Sequence, residues 1–244
     1  MSGKAADFSG KIVLVTGASR GLGYASALAF AKAGAHVLAL ARTVGGLEEL
    51  DDEIGAAGGT CSLIPCDLSD FDMVDAIGGS LAQRFDRLDG LILNAGVLGE
   101  LAPIGDIDPK VFRRAFDVNV EANWRLIRSV EPLLRASAAG RIVAVTSRVA
   151  LTPRAFWTTY AASKAAFEMM MKIYAEEMKI TNVRVAIVDP GAMRTKMRAQ
   201  AMPGEDPGVN PDPEVVAPLV LDAASADYDG VAERFVQRDR VTSK

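Results

Sequence analysis

The residues with the clearest chemical potential are a tyrosine and a lysine four positions apart, Tyr160 and Lys164. Two helical side chains at that spacing project from the same face. A phenol ordinarily has a pKa of ~10, and an adjacent ammonium group favours the phenolate and lowers that pKa. Such a pair can donate or accept a proton. It also occurs on helices by chance, and alone it favours a structural role.

Two further polar residues could complete a proton-transfer site around this pair. Ser147 follows an apolar run and precedes Tyr160 by thirteen residues, so we expect it at the carboxyl end of a strand. In an open parallel sheet the ligand crevice lies outside that end, where the serine hydroxyl could bind a substrate carbonyl. Asn119 lies within a helical pattern although asparagine is a mediocre helix former, which predicts a polar role such as holding a water near Lys164.

Composition disfavours chemistry that depends on metals or histidine. The chain has one histidine, His36, and two cysteines, Cys61 and Cys66. Serine-hydrolase triads and most catalytic zinc sites need histidine, and the cysteines are too few and badly spaced for a zinc site or disulfides. We therefore predict no metal, a loop position for His36 between a helix and a strand, and buried free thiols for the cysteines.

A glycine-rich segment, residues 16–23, follows the first apolar run and opens the first predicted helix. Glycines permit a tight strand-to-helix turn and a close approach of the backbone to a pyrophosphate, and the helix N-terminus presents free N–H groups to the phosphates. A glycine triplet alone is weak evidence, but its position between strand and helix predicts dinucleotide binding. The residues assigned to this role are Gly17, Ser19, Arg20, Gly21, Leu22 and Gly23.

The end of the second predicted strand indicates which dinucleotide binds. NAD-binding folds usually place an acidic residue there, about 20 residues after the glycine segment, to hold the ribose hydroxyls. Here Ala41 takes that place and Arg42 follows it. The planar guanidinium of Arg42 suits a 2′-phosphate, and Arg20 could reach the same group. The sequence therefore favours NADP(H) over NAD(H); the alternative is that both arginines are solvated surface residues.

Two later segments extend the predicted cofactor site. Asp67 follows the third apolar run, where its carboxylate could accept from the adenine amino group or could stand beside a helix cap formed by Ser69. Residues 94–96 end the fourth run, where small side chains could leave room for the adenine ribose or simply form a turn. The residues assigned here are Asp67, Leu68, Asn94, Ala95 and Gly96.

An alternation of short apolar runs and amphipathic stretches carries these residues. The runs lack period-two alternation, as expected of strands buried on both faces, and their spacing from the helices indicates parallel strands with right-handed crossovers. The predicted fold is α/β: a doubly wound parallel sheet of about seven strands in three αβα layers, as a single domain over residues 1–244. The runs are residues 11–15, 36–40, 61–64, 90–93, 141–145 and 183–188, and the helices are residues 22–33, 47–56, 70–85, 109–135 and 159–179.

The alternation breaks over residues 193–212, which are rich in proline and charge. A loop this long in a compact domain is usually functional or mobile. We interpret the segment as a lid over the substrate site, with a disordered connector as the alternative.

Composition also limits the partners. The 244 residues carry a net charge of −4, which argues against nucleic acid because phosphate binding needs a basic face. No apolar run approaches the ~18 residues of a membrane span, and the N-terminal residues lack the apolar stretch of a signal peptide. We predict a cytoplasmic protein with a small-molecule partner and with neither nucleic-acid nor membrane partners.

Six motifs together resemble those of the short-chain dehydrogenase/reductase family, in its short single-domain branch, from about Phe8 to Thr195. Their joint order and spacing is specific, although each motif alone is not. The motifs are the glycine segment 16–23, Asn94-Ala95-Gly96, Asn119, Ser147, Tyr160 with Lys164, and Pro190-Gly191. The resemblance implies a Rossmann fold and hydride transfer between NAD(P)H and a carbonyl or alcohol substrate.

The resemblance also implies roles for individual residues. Tyr160 would be the acid/base, and Ser147 would polarise the carbonyl. Lys164 would lower the pKa of the tyrosine and bind the nicotinamide ribose, and Asn119 would complete a proton relay through water. Thr195 matches the residue that usually contacts the nicotinamide amide. The implied cofactor contacts in this part of the chain are Tyr160, Lys164, Pro190, Gly191 and Thr195.

In this family a long helix such as residues 159–179 commonly packs on a symmetric partner, which implies a homodimer. The C-terminal stretch of residues 230–239 is short and polar, whereas the family often has a glycine-rich strand there at a tetramer interface, and this argues against a tetramer. Residues 94–100 and 197–207 are similar to a bacterial subgroup that has no assigned substrate.

The sequence predicts neither the substrate nor the direction of the reaction. Arg148 could bind an acidic group of the substrate, pair with Glu100 or face solvent, and Phe156 and Trp157 could form an apolar wall or pack at a helix entry. The alternative to an enzyme is a catalytically quiet NAD(P)-binding sensor or scaffold, which the intact polar set disfavours. A nucleotide-sugar epimerase would need a longer C-terminal domain, and a methyltransferase would not need the tyrosine–lysine pair.

Overall fold

A seven-stranded sheet organises the chain in the computed structural model, which describes residues 6–225 and 233–237. The strands are β1 (Ile12–Thr16), β2 (His36–Ala41), β3 (Thr60–Pro65), β4 (Gly90–Leu93), β5 (Arg141–Val145), β6 (Arg184–Asp189) and β7 (Glu233–Val236). They lie in the order β3-β2-β1-β4-β5-β6-β7, and every neighbouring pair is parallel. The predicted doubly wound parallel sheet is confirmed.

Helices cover both faces of this sheet, which confirms the three-layer arrangement. They are α1 (Gly21–Lys32), α2 (Val44–Ala56), α3 (Phe71–Ala82), α4 (Pro109–Phe116), α5 (Ala122–Ala136), α6 (Thr158–Met178), α7 (Lys196–Ala201) and α8 (Pro213–Ser225). Alternate residues of β1 serve two cores: Val13 and Val15 pack on α1, α2 and α8, whereas Leu14 packs on α3, α5 and α6. Burial on both faces explains why the strands read as continuous apolar runs.

Two local predictions, and one of the two alternatives offered for the Asp67 region, were wrong. The helix predicted over residues 109–135 is interrupted by a π-helical turn, Asp117–Glu121, which separates α4 from α5. The cap of α3 is Asp70, whose carboxylate accepts from the Met73 amide at 3.1 Å, and not Ser69. His36 is the first residue of β2 and not a loop residue, because its backbone pairs with Ile12 of β1 and Thr60 of β3; its ring nitrogens also contact two hydroxyl groups of β3.

The two cysteines are free thiols, as predicted. Cys66 is buried and Cys61 is partly buried. Burial raises the pKa of both thiols to about 11, so the reactive thiolate form is disfavoured at neutral pH.

The segment 193–212 is folded and contains the short helix α7. Its side chains hold it together: Arg194 pairs with Asp212, and Arg198 donates to Glu205 at 2.6 Å. Asn210 donates to the same carboxylate at 2.7 Å. This differs from a structureless connector, while closure over a substrate stays a prediction.

Within the described residues, no helix combines the length and apolar character needed to cross a membrane. The same residues hold no group of three or more histidine, cysteine, aspartate or glutamate side chains arranged to bind a metal. The interpretations of the extreme N-terminus and of residues 230–239 rest in large part on residues 1–5, 226–232 and 238–244, which lie outside the described residues.

Candidate active site

A cleft of about 870 Å³ lies where β1 to β6 end. It brings together nearly all the site residues predicted from the sequence, although they are spread over most of the chain. Gly23 and Asn119 do not line it. Those that do are Gly17, Ser19, Arg20, Gly21, Leu22, Arg42, Asp67, Leu68, Asn94, Ala95, Gly96, Ser147, Tyr160, Lys164, Pro190, Gly191 and Thr195.

The glycine segment forms a tight strand-to-helix turn with positive φ angles, as its glycines predicted. Gly17 and Gly21 have φ of +69° and +57°, a region that other residues rarely adopt. A Cβ on Gly23 would lie 2.2 Å from the carbonyl oxygen of Gly17. Gly23 therefore lets α1 pack against the turn from behind, which is why it does not line the cleft.

The N-terminus of α1 is open towards the cleft. Arg20, its cap residue, is extended and makes no side-chain cap, and the first turn carries no acidic residue. Arg20 forms no ion pair within the described part of the chain. The unpaired N–H groups and the positive end of the helix dipole favour an anion at this position.

Thr16 and Asn94 fasten the ends of β1 and β4 together beneath the cleft. The Thr16 hydroxyl donates to the Ile92 carbonyl at 3.1 Å and accepts from the backbone amides of Asn94 and Ala95 at 3.0 Å. Asn94 returns a side-chain hydrogen bond to the Thr16 carbonyl at 2.9 Å. The Asn94-Ala95-Gly96 motif is thus a fixed junction that holds the cleft open beside the glycine segment.

Arg42 and Asp67 lie together at the far end of the cleft, 3.5 Å apart, and the Arg42 side chain is 63% exposed. Partial burial raises the pKa of Asp67, but hydrogen bonds from Ser69 and the nearby Arg114 outweigh it and lower the pKa to about 2. Arg114, on α4, was not predicted from the sequence as a site residue. Asp67 is therefore an ionised acceptor next to an exposed guanidinium.

At the opposite end, Lys164 is held under Tyr160 on α6. Its Nζ donates to the Val145 carbonyl at 2.9 Å and lies 6.0 Å from the centre of the Tyr160 ring. Ser147 lines the same wall, and its side chain makes no hydrogen bond to the described residues. The residues expected to carry proton chemistry are thus brought together by β5 and α6.

The pKa of Tyr160 departs from the expectation that Lys164 lowers it. Burial, with the negative charge of Asp189, raises the pKa of Tyr160 to about 12. Burial also lowers the pKa of Lys164 to about 8. The difference arises because both groups are almost fully buried, and removal from water disfavours the charged form of each.

Asn119 lies behind the cleft, fully buried in the π-helical turn. Its side chain accepts from the Val97 amide at 2.8 Å and donates to the Val97 carbonyl and to Ser163, each at 2.9 Å. A Cβ on Gly96 would sit 3.2 Å from its Oδ1 and 3.5 Å from Lys164 Nζ. Asn119 therefore ties the Gly96–Val97 backbone to α6 next to Lys164.

A buried charge network next to Lys164 on α6 was not predicted from the sequence. Glu168, one turn after Lys164, accepts from Thr146 at 2.9 Å and from Arg234 at 2.5 Å, and Lys172 lies 2.9 Å from its other oxygen. Arg234 also contacts Asp189 at 3.3 Å. Burial raises the pKa of Glu168, but these hydrogen bonds outweigh it and lower the pKa. The network joins α6 to the ends of β5 and β6.

The substrate end is lined by an apolar cluster around Tyr160. Leu98, Trp157 and Ala201 are buried against it, with Val149 and Met197 partly buried alongside. Trp157 packs edge-on to Tyr160, with ring centres 6.1 Å apart. Phe156 lies outside the cleft and is 58% exposed, so of these two aromatic residues Trp157 provides the wall.

Comparison with known proteins identifies the family of the chain. Residues 11–206 match the sequence model of the family described as short chain dehydrogenase. The chain is 37% identical to the uncharacterized oxidoreductase YciK of Escherichia coli K12 over 217 residues, which cover 86% of this chain and 84% of that protein.

Two solved structures share both fold and sequence. A short chain dehydrogenase of Shigella flexneri 2a, solved with NADP, has a TM-score of 0.92 and 34% identity, covering 96% of this chain and all of that one. A counterpart from E. coli CFT073, solved with NADPH, has a TM-score of 0.89 and 35% identity over 96% and 98% of the two chains. The chain belongs to the short-chain dehydrogenase/reductase family and is an oxidoreductase of that family.

Proposed function

We propose that the chain interconverts a carbonyl compound and an alcohol with NADP(H), using Tyr160 as general acid and base. The observation that carries this proposal is that Ser147, Tyr160 and Lys164 line the same cleft as the glycine segment. The family to which the chain belongs supports the reaction type. The substrate is a small molecule that fits a cleft of about 870 Å³ together with the cofactor.

The residues of the cleft fit nicotinamide adenine dinucleotide phosphate. The glycine segment and the open N-terminus of α1 would hold the pyrophosphate, and Arg20 and Arg42 would hold the 2′-phosphate. Asp67 would accept from the adenine amino group. When bound, the nicotinamide supplies the hydride for reduction or accepts it in oxidation. The residues that would surround the rest of the cofactor are Leu68, Asn94, Ala95, Gly96, Pro190, Gly191 and Thr195.

The proton chemistry falls to Tyr160 and Ser147. During reduction, the carbonyl carbon gains the hydride and its oxygen gains the Tyr160 hydroxyl proton, while the Ser147 hydroxyl donates a hydrogen bond to that oxygen. The raised pKa keeps Tyr160 protonated and ready to donate at neutral pH. The reverse reaction needs the phenolate, which the charge of Lys164 would favour.

Lys164 and Asn119 would act around this proton. An ammonium has three N–H donors. Lys164 gives one to the Val145 carbonyl, so the other two can reach the nicotinamide ribose and the Tyr160 side chain. The Asn119 side chain is committed to Val97 and Ser163, so its contacts favour a positioning role. The relay through water that the family resemblance implies stays a prediction.

The direct test is NADPH consumption with a panel of ketones, aldehydes and quinones. Tyr160→Phe should abolish turnover and leave NADPH affinity within about 2-fold, because only the proton donor is lost. Equal rates in the wild type and the variant would contradict the role of Tyr160. Tight NADPH binding without turnover of any carbonyl compound would instead support a sensor.

Cofactor choice is tested separately. Arg42→Ala should weaken NADPH binding by about 10- to 100-fold, since a charge-assisted hydrogen bond contributes about 1.5–3 kcal/mol. NADH binding should change little. Comparable affinity of the wild type for NADH and NADPH would contradict the preference for NADP(H).

We also propose a cytoplasmic homodimer whose segment 193–212 closes over the substrate. The outer face of α6 supports a dimer, because Met169 and Ile173, one turn apart, are 57% and 54% exposed. Light scattering should give about twice the chain mass of 25.8 kDa; a mass near that of one chain would contradict the dimer. Proteolysis within residues 202–210 should slow when NADP and a substrate are bound.

A further inference from the structure

The substrate end of the cleft contains an arginine, Arg148, without an acidic partner among the described residues. Arg148 follows Ser147 directly, lines the cleft and is exposed. It does not pair with Glu100, whose carboxylate instead accepts from the Asp108 amide at 3.3 Å. No acidic side chain pairs with Arg148 in the described part of the chain, although Arg148 stands next to a residue assigned to the chemistry.

A second arginine, Arg154, lies on the same apolar wall. Its guanidinium sits over Trp157, 4.9 Å from the ring centre, and its Nη2 is 3.5 Å from the Met202 sulfur. Stacking on an indole fixes the guanidinium plane and leaves its edge N–H groups available. Arg154 is therefore held against the wall of the substrate site without an ion pair among the described residues.

A third arginine of the cleft, Arg198, differs from Arg148 because an acidic side chain neutralises it. Arg198 also lines the cleft, but Glu205 accepts from its Nε at 2.6 Å. Hydrogen bonds from Arg198, and more weakly the charge of Arg154, lower the pKa of Glu205. The segment 193–212 thus supplies an acid for Arg198, whereas Arg148 receives none.

The charge of the whole chain makes this excess notable, because the protein carries a net charge of −4. Arginine and lysine residues outnumber aspartate and glutamate among the residues that line the cleft, and such an excess of positive charge concentrates anionic ligands. The guanidinium fork matches carboxylate and phosphate oxygens in a bidentate contact. The neighbouring Leu98, Trp157 and Met197 would cover an apolar body.

We propose that the carbonyl substrate carries an anionic group, a carboxylate or a phosphate, which Arg148 binds together with Arg154. Its carbon skeleton packs against Trp157 while its carbonyl reaches Ser147 and Tyr160. This inference rests on the proposed function, since it assigns a substrate class to the same site.

The first test compares matched carbonyl compounds in NADPH-dependent reduction by the full-length protein. The carboxylate arm uses 2-oxo-, 4-oxo- and 5-oxohexanoate, each against its methyl ester, and the phosphate arm uses dihydroxyacetone phosphate against dihydroxyacetone. At least one anionic member should exceed its neutral partner in kcat/KM by 10-fold or more. The better arm identifies the anion.

Arg148→Gln should lower kcat/KM for that anionic compound by about 10- to 100-fold, mainly through KM, because charge-assisted hydrogen bonds contribute about 1.5–3 kcal/mol. Its neutral partner should change by less than about 2-fold. The matched control is Arg113→Gln, since Arg113 is exposed on α4 and does not line the cleft. Added salt should lower kcat/KM for the anionic compound and leave that of its neutral partner unchanged.

The second test does not need turnover. Calorimetry with saturating NADP should show hexanoate or hexyl phosphate binding more tightly than hexanamide, and Arg148→Gln should remove the difference. Equal binding of all three would overturn the inference, as would reduction of neutral compounds with no preference for the anionic ones. Anion binding that depends on Arg148, without reduction of any carbonyl, would leave the inference standing and contradict the proposed reaction.

Discussion

At the cofactor end of the cleft the main chain sets the shape, whereas at the substrate end side chains from distant segments set it. Gly17, Gly21 and the start of α1 form the first with backbone atoms. Trp157, Arg154 and the segment 193–212, which contains α7, form the second. A pyrophosphate needs N–H groups at close range, and only a bare backbone provides them, so the cofactor end has little freedom to vary. The substrate end can change one side chain at a time.

The Glu168–Arg234–Asp189 network lies beneath Ser147, Tyr160 and Lys164, to which we assign the proton chemistry. Arg234→Met should therefore have the largest effect on stability, because it leaves two buried carboxylates without their shared partner. Breaking a buried ion pair in this way costs about 3–5 kcal/mol. Urea unfolding, with the slope m checked for two-state behaviour, measures the loss.

Arg128→Met is the matched control for that variant. Arg128 pairs with Asp75 at 3.2 Å, but its side chain is 57% exposed. Surface pairs contribute about 0–1 kcal/mol, so the control should be nearly neutral. Similar losses in both variants would show that the network does not support the site.

The same contrast explains what the sequence could reveal. The glycine segment was predictable because its constraints are local: a strand, a turn and a helix within residues 12–32. Arg114 and Arg234 were missed because their acidic partners lie 47 and 66 residues away, where no spacing rule connects them. The topology alone brings such residues together. Most of the fold was predictable because apolar runs and turn residues are also local signals.

The π-helical turn shows a third situation. Asn119 was singled out as a poor helix former in a helical pattern, and that signal was correct. The change in helix geometry was not predictable, because it depends on Asn123 donating to the Asn119 carbonyl at 2.9 Å and on the Asn119 side chain reaching Val97. The position was visible in the sequence, and its contacts were not.

Gly23→Ala should test the cofactor end of the cleft, where the main chain sets the shape. The new Cβ would meet the Gly17 carbonyl oxygen at 2.2 Å, and backbone cannot move aside as a flexible side chain can. We expect a loss of about 1–3 kcal/mol in the free energy of unfolding and weaker NADPH binding. Gly45→Ala on α2 is the control, because nothing lies within 4 Å of its Cβ position and alanine favours a helix by about 0.5–1 kcal/mol. Unchanged NADPH affinity in Gly23→Ala would contradict a cofactor end that tolerates no variation.

The last effect concerns the buried Lys164, and pH reveals it. The pKa of Lys164 is about 8 in the folded protein, against ~10.4 for an unfolded chain. Between these values the folded protein has lost the proton that the unfolded chain keeps, so the free energy of unfolding rises with pH, by up to about 1.4 kcal/mol per unit.

The thiols of Cys61 and Cys66 act in the opposite direction over an overlapping range, because their pKa values are raised and their contribution is lost as pH rises. Comparing the wild type with Lys164→Met cancels that background. The difference in the free energy of unfolding between the two proteins should shift in favour of the wild type between pH 8 and about 10. A constant difference over that range would mean that Lys164 stays protonated in the folded protein. Its ammonium charge would then be available to the Tyr160 phenolate throughout the range, as the sequence had predicted.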